Sequence, residues 1–345
     1  MEQLIECVPN FSEGRDRTII DAIAREIQSV RFISLLDIDS GISANRTVMT
    51  FIGPPDAVIR AAFKAIKKAA ELIDMQRQTG VHSRIGATDV CPFVPIANIA
   101  VNETIALVDS LAKQVGTELD IPIYLYEHSA MFVARKNLAT IRKGGYEKFA
   151  EKMKQPEWMP DYGGPGFNRT TGATVMGVRD ILIAFNINLD TRSVAIAQEI
   201  AATIRESGRL VRNEQGNITH ISGLLPACKA VGWYINEYGQ AQVSMNLVDF
   251  RHTPPHVAFE VVRTEAMKHN VRVTGSELVG LIPYYALLMA GKHYASANDI
   301  KNLNIDQLLE LAVQSLKLDD KHPFILNNKI LEYRCKHFGV NIKYI

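Results

Sequence analysis

This chain has little that invites covalent or metal-based chemistry. Its 345 residues hold only four cysteines, Cys7, Cys91, Cys228 and Cys335. None stands in a C-x-x-C pair or at metal-ligand spacing, which argues against a disulfide framework, a redox dithiol or a zinc site. Each lies in or near an apolar run and reads as a small buried core residue of a reduced, cytoplasmic protein. An excess of charge is also missing. Lys plus Arg is 38 and Asp plus Glu is 37, so no field favours nucleic acid or an anionic membrane. No apolar run reaches the ~18 to 20 residues that span a bilayer. The opening MEQLIECVPNFSEG lacks a basic region followed by a long apolar stretch, so no signal peptide is expected. P-loop, G-x-G-x-x-G and G-x-S-x-G motifs are absent. The glycine-rich DYGGPGF neither opens a helix nor leads into Lys-Ser/Thr, so no phosphate cradle is expected there.

What is present is an alternation of short strands and amphipathic helices. LIECVPNF reads as a strand. DRTIIDAIAREIQSV follows with Ile19, Ile23, Ile27 and Val30 at helical spacing. FISLLDID and RTVMTFIG are two strands, DAVIRAAFKAIKKAAELI a second helix and DVCPFVPIANI a further strand. A helix near 103–117 and the strand IPIYLYE extend this half. The same order returns in ILIAFNINL, RSVAIAQEIAATIRES, a hairpin turning at Tyr238-Gly239, HVAFEVVRTEAMKHN and VRVTGSELVGLI. Residues from about 284 onward read as helical. The pattern β-α-β-β-α-β, met twice, predicts an α+β fold of two ferredoxin-like subdomains. Each would leave one sheet face bare, so the two are expected to pack sheet to sheet around a cleft. The expected domains are 1–178 and 179–345, the second carrying the helical extension.

Two segments carry candidate chemistry. QTGVHSRIGATDVCPFVP places His82, Arg84 and Asp89 among glycines just before a strand. His82 can take and return a proton near neutral pH, and Arg84 can grip a carboxylate with two parallel hydrogen bonds. No second histidine stands at metal spacing in this loop, so no metal is expected. Upstream, Asp37 and Asp39 sit on one face of a strand. Asp39, Asn45 and Arg46 either serve turn chemistry or form a polar rim for a small substrate, with Arg46 a second carboxylate clamp. The second segment, 155–177, is dense in Gly and Pro and long for a connector. It is either an interdomain linker or a binding loop, in which Tyr162, Phe167 and glycine backbone would accept a flat aromatic ligand.

Taken in order, ECVPNFSEG, LLDIDSG, NRTVMTF, DVCPFVP, IPIYLY, EWMPDYG, GATVMGVRD, LIAFNINL and GSELVGLIP resemble the glutamate formimidoyltransferase (formiminotransferase) family over nearly the whole chain. That family includes the N-terminal part of formiminotransferase-cyclodeaminase; the chain stops before any cyclodeaminase region and is expected to be a stand-alone transferase. The resemblance implies transfer of a formimidoyl group from N-formimidoyl-L-glutamate to N5 of tetrahydrofolate, a late step of histidine breakdown and of one-carbon metabolism. It also implies two ferredoxin-like subdomains and a homodimer. It places the catalytic histidine on His82. It places the folate-binding loop on Gly163, Gly164, Pro165, Gly166, Phe167, Asn168, Arg169, Thr170, Thr171 and Gly172. Relatives commonly carry proline where Ser83 stands here. Asp39, Asn45, Arg46 and Arg84 are the candidate substrate-binding residues, and small molecules the expected partners. A formyl rather than formimidoyl donor, or folate binding without catalysis, are the rival expectations.

Overall fold

The computed structural model describes residues 3–212 and 216–338. Its contacts divide the chain after Asp180 into two compact units. Both mix strands and helices, so the α+β expectation stands at that level.

In the first unit the opening strand is broken. β1 (Leu4–Cys7) and β2 (Asn10–Phe11) flank Pro9, whose missing N–H cannot serve the ladder. Helix α1 (Arg17–Gln28) follows, capped by Asp16, whose carboxylate accepts the Thr18 N–H. Ile20, Ile23, Ala24 and Ile27 form its buried stripe at i, i+3, i+4 and i+7 spacing. Strands β3 (Ser34–Gly41) and β4 (Arg46–Gly53) form a hairpin, with Asp39 opposite Val48 and Gly41 opposite Arg46. Helix α2 (Pro55–Leu72) starts with proline at its first position and buries a small-residue face of Ala57, Ala61, Ala62, Ala65 and Ala69. β5 (Thr88–Ala97), α3 (Val101–Glu118), β6 (Ile123–Leu125), the short helices α4 (Leu138–Arg142) and α5 (Gly145–Lys152), and β7 (Thr174–Val178) complete the unit.

Across this seven-stranded sheet the order is β3, β4, the broken β1/β2, β5, β7, β6. The β5–β7 and β7–β6 pairs are parallel and the rest antiparallel. Cys7, Met49, Phe51, Cys91 and Phe93 pack with the helices in one core. Residues that pair directly across an antiparallel ladder share a face. Val48 pairs with both Asp39 and Asn10, so Asp39 and Asn10 lie on the opposite face, with Asp37 and Arg46 two residues away from that row. The loop expected over 155–177 ends sooner, because Thr174 begins β7.

The second unit holds β8 (Ile183–Leu189), α6 (Val194–Ile204), a separate hairpin β9 (Arg209–Arg212) and β10 (Ile218–Ile221), then β11 (Cys228–Ile235), β12 (Gln240–Leu247), α7 (Pro255–Lys268) and β13 (Val273–Val279). α8 (Tyr284–Ala297) and α9 (Ile305–Ser315) follow, the latter held by a reciprocal Asn304–Gln307 cap. The sheet order is β11, β12, β8, β13, all antiparallel. Alternation is clean. Ile183, Phe185, Ile187 and Leu189 enter the core, while Asn186 and Asn188 point the other way and bond to Glu277 and Asp320. The four cysteines are free and buried.

At Gly232 helix α6 lies directly against the sheet: a Cβ there would stand 2.2 Å from the backbone of Ala197 and Gln198. Gly232→Ala must force helix and strand apart and is expected to cost about 1–3 kcal/mol, as overpacking does. The urea midpoint checks it; an unchanged midpoint would contradict the close fit.

Candidate active site

The loop from Ile73 to Ala87 joins α2 to β5, and it is tied down along its length. Val81 N–H donates to Ser43 O, Met75 N–H to Thr170 O, and Ala87 N–H to Thr171 O at 2.7 Å. Asn45 sits at a left-handed φ of 46°, tolerated by asparagine. Its side chain accepts from Gly14 N–H and donates to Thr79 O. Gly80 packs against the backbone here, since a Cβ would stand 2.3 Å from Ala44 O. Gly86 bridges Gly172, and Ala173 N–H donates to Ile85 O at 3.0 Å. Gly172 has φ +69° and would bring a Cβ to 2.2 Å from Ile85 O. The histidine loop and the glycine-rich loop are thus zipped together, two segments that lie far apart in sequence.

Arg84 is buried. Its Nε donates to Gln78 Oε1 at 2.5 Å, and its Nη2 reaches Gln78 O at 2.9 Å and Glu147 Oε1 at 2.8 Å. Arg84 O in turn accepts from Tyr146 N–H, joining the loop to α5.

The centre of the site is Asp89, fully buried at the start of β5. Its Oδ2 accepts from Arg46 Nη1 and from Arg142 Nη2, each at 2.5 Å. Its Oδ1 accepts from Ile85 N–H at 2.9 Å and Arg142 Nε at 3.3 Å. Arg46 spends its remaining nitrogens on Asn10 Oδ1, from Nε at 3.0 Å and Nη2 at 2.8 Å. Arg142 comes from the end of α4, whose last carbonyls, Thr140 O and Ile141 O, accept from Lys152 Nζ at 2.7 Å. Burial alone would raise the Asp89 carboxyl; the Arg142 and Arg46 guanidiniums overcome it and hold the group down at about 2. Burial lowers Arg46 to about 10.

His82 is half-buried, and its Nδ1 lies 2.6 Å from Ser83 O. Burial drives its pKa well below the usual 6.5; Arg46 and Arg142 push it further down, and Asp89 opposes them only partly. At neutral pH the imidazole is therefore an uncharged base.

The glycine-rich loop is fixed at its ends and open at its tip. Gly163 has φ +88° and packs against Ile121 O, whereas a Cβ on Gly166 would meet nothing within 4 Å. Asn168 Oδ1 accepts from Thr170 and Thr171 N–H. Tyr146 Oη donates to Arg169 O, and its ring lies 5.3 Å from that of Phe167. Tyr162 bonds instead to Asp109 on α3 at 2.7 Å and packs with the helix-side core. Tyr162 and Phe167 therefore belong to different packing groups, not to one aromatic slot.

Of the residues singled out from sequence, the first unit places Arg46 beside Asp89, Asn45 under the His82 loop, and the 163–172 loop against Gly86. Asp39 lies on the β3–β4 hairpin, on the sheet face that carries Asn10. Arg142, Gln78, Glu147 and Lys152 were not legible in the sequence. Among the described residues no group of three or more His, Cys, Asp or Glu is disposed to hold a metal ion, and no helix is long and apolar enough to cross a membrane.

A neutral imidazole beside a buried guanidinium–carboxylate–guanidinium cluster is equipped for proton transfer near an anion, and it stands on a two-unit α+β chain. A model of the formiminotransferase domain, N-terminal subdomain, matches residues 4–179, and one of the formiminotransferase domain matches 184–336. The chain belongs to this formiminotransferase family. It is 43% identical over 339 residues to the formimidoyltransferase-cyclodeaminase of Mus musculus, covering 98% of this chain and 61% of that protein. It is 41% identical to the glutamate formimidoyltransferase of Streptococcus pyogenes serotype M1, covering 87% of this chain and 95% of that one. For the Thermoplasma acidophilum glutamate formimidoyltransferase the identity is 40%, covering 88% and 95%. The chain thus spans about three-fifths of the length of the cyclodeaminase-named relatives, 61% in mouse and in rat.

Asp89→Asn would leave two buried guanidiniums with no carboxylate between them. It is expected to destabilise the first unit by about 3–5 kcal/mol, the cost of breaking a buried pair. In the parent chain, the folded-state pKa of Asp89 is depressed from an unfolded value near ~3.9. Its contribution is therefore full above about pH 4 and is lost as pH falls toward about 2. Chemical denaturation from pH 6 down to pH 2 measures both. A variant whose acid sensitivity equals that of the parent would contradict this role.

Proposed function

We propose that this chain is a glutamate formimidoyltransferase: it moves the formimidoyl group of N-formimidoyl-L-glutamate to N5 of tetrahydrofolate, releasing L-glutamate. The observation that carries the reading is His82, held uncharged beside the Arg46–Asp89–Arg142 cluster and tied through Gly86 to the glycine-rich loop.

The chemistry follows from that geometry. N5 attacks the amidine carbon of the donor and a tetrahedral adduct forms. N5 must then lose a proton and the departing glutamate nitrogen must gain one. A neutral imidazole takes the first proton, and as an imidazolium of low pKa it readily gives one to the leaving nitrogen. Holding both substrates in line supplies much of the remaining acceleration, and no covalent intermediate on the chain is required. In this reading residues 163–172 receive tetrahydrofolate: the open backbone at Gly166 admits a flat ring system, with Tyr146 and Phe167 behind it. Asp39 faces the donor from the hairpin. Asn45 and Arg84 serve it by holding the His82 loop, and Arg46 by fixing Asp89.

We also propose that both units are ferredoxin-like, with the boundary falling at 178/179, and that the protein works as a cytoplasmic homodimer in histidine degradation. The strand orders β3-β4-β1/β2-β5 and β11-β12-β8-β13 support the first part, since each is the order that two interleaved β-α-β units produce.

His82→Ala is expected to reduce turnover of N-formimidoyl-L-glutamate with tetrahydrofolate by ~10² to 10⁴, the usual loss for an acid–base group, with folate binding retained. Absorbance of the folate product measures it. Near-parental turnover in the variant would remove His82 from this role, and a parent chain that turns over only N-formyl-L-glutamate would rename the reaction.

A further inference from the structure

We propose that Arg142 binds the α-carboxylate of the glutamate donor and so places the leaving nitrogen against His82. The inference rests on the preceding reading for the identity of the anion, and on the geometry for the existence of an anion site.

The cluster is not electrically closed. Two guanidiniums share one carboxylate, Asp89, and among the described residues no other Asp or Glu lies at ion-pair distance from Arg46 or Arg142. One positive charge is left over in an enclosed place, where an unmatched charge is costly unless an anion meets it. The two arginines are not equivalent. Arg46 is buried and uses all three nitrogens, on Asp89 and Asn10. Arg142 uses only Nε and Nη2, both on Asp89. Its Nη1 meets no acceptor among the described residues, and 13% of its side chain remains open. The spare charge therefore has a spare, reachable donor pair. Ile85, three residues after His82, donates its N–H to the same Asp89 Oδ1 that accepts from Arg142 Nε, so an anion seated at Arg142 lies close to the His82 loop.

Which anion fits follows from connectivity. His82 must exchange a proton with the donor nitrogen. The carbon bonded to that nitrogen carries the α-carboxylate, so this is the donor anion nearest the reacting centre. The γ-carboxylate lies two further carbons along the side chain, and the carboxylates of tetrahydrofolate stand beyond its aminobenzoyl spacer. Arg142 is also firmly anchored in this position. Asp89 fixes its fork on one side, and Lys152 locks the end of the helix that bears it.

The test uses the full chain and equilibrium binding as well as turnover. L-glutamate, L-isoglutamine (the α-amide) and L-glutamine (the γ-amide) are titrated by calorimetry into the parent, Arg142→Gln and Arg142→Lys, and KM for N-formimidoyl-L-glutamate is measured beside them. Loss of a charge-assisted contact predicts about 10- to 100-fold weaker L-glutamate binding and a matching rise in KM for Arg142→Gln. Arg142→Lys should recover part of it. L-isoglutamine should bind the parent and Arg142→Gln alike, whereas L-glutamine should still distinguish them. Unchanged L-glutamate affinity in a folded Arg142→Gln overturns the proposal. If that variant does not fold, a parent chain that binds L-glutamate and L-isoglutamine equally overturns it. The two readings fail separately. Arg142-dependent L-glutamate binding without formimidoyl turnover sinks the reaction but keeps the site; turnover with an indifferent Arg142 does the reverse.

Discussion

The first unit is organised around one carboxylate. Asp89 is buried where β5 begins, and it can be ionised there only because Arg46 from β4, Arg142 from α4 and the Ile85 N–H converge on it. Taking a carboxylate out of water costs several kcal/mol unless its lone pairs are met, so the four groups form or fail together. That requirement fixes the end of the β4 hairpin, the last turn before β5 and the placement of a five-residue helix, α4, that is too short to hold itself. Around this anchor the 73–87 loop takes its shape, and through Gly86 and Gly172 the glycine-rich loop takes its place.

Burial and the same ion cluster together set the chemistry. An imidazole at an exposed loop tip would titrate near its ordinary value and be partly charged at neutral pH. Half-buried, and facing an excess of guanidinium charge, His82 is kept neutral. A neutral base that becomes a strong acid after accepting a proton suits a reaction in which one amine loses a proton and another gains it. Structural anchor and electrostatic tuning are thus one set of bonds, and a change in Asp89 or Arg142 is felt in both.

Much of the fold was legible because its elements obey simple periods. The buried stripe of α1, the alternation of Ile183, Phe185, Ile187 and Leu189 with Asn186 and Asn188, and the turn at Tyr238-Gly239 are local signals that tertiary contacts only confirm. The β9–β10 hairpin and helices α4 and α5 gave no such signal: the hairpin exposes Leu210, Ile218 and Ile221, and the two short helices are held by contacts distant in sequence, Lys152 on the carbonyls of α4 and Glu147 on Arg84. At the site, His82 and Arg84 stood out because a histidine and an arginine between glycines are unusual for a solvated loop. Arg142 could not be found that way. It meets Asp89 across 53 residues of sequence, and nothing local in LATIRKGG marks it. Arg84 carried a clear signal whose meaning the structure refines, since its Nε and Nη2 are bonded to the protein's own Gln78 and Glu147.

The most direct measurement is the ionisation of His82 itself, followed by NMR of its ring in the ligand-free chain and assigned by the loss of its signal in His82→Ala. The expected result is a ring that stays neutral through pH 6.5 and protonates only well below it, with its midpoint moving up toward the ordinary value in Arg142→Gln. A parent chain whose His82 titrates near 6.5 would contradict the claim that burial and the Arg46–Asp89–Arg142 cluster together keep this imidazole neutral.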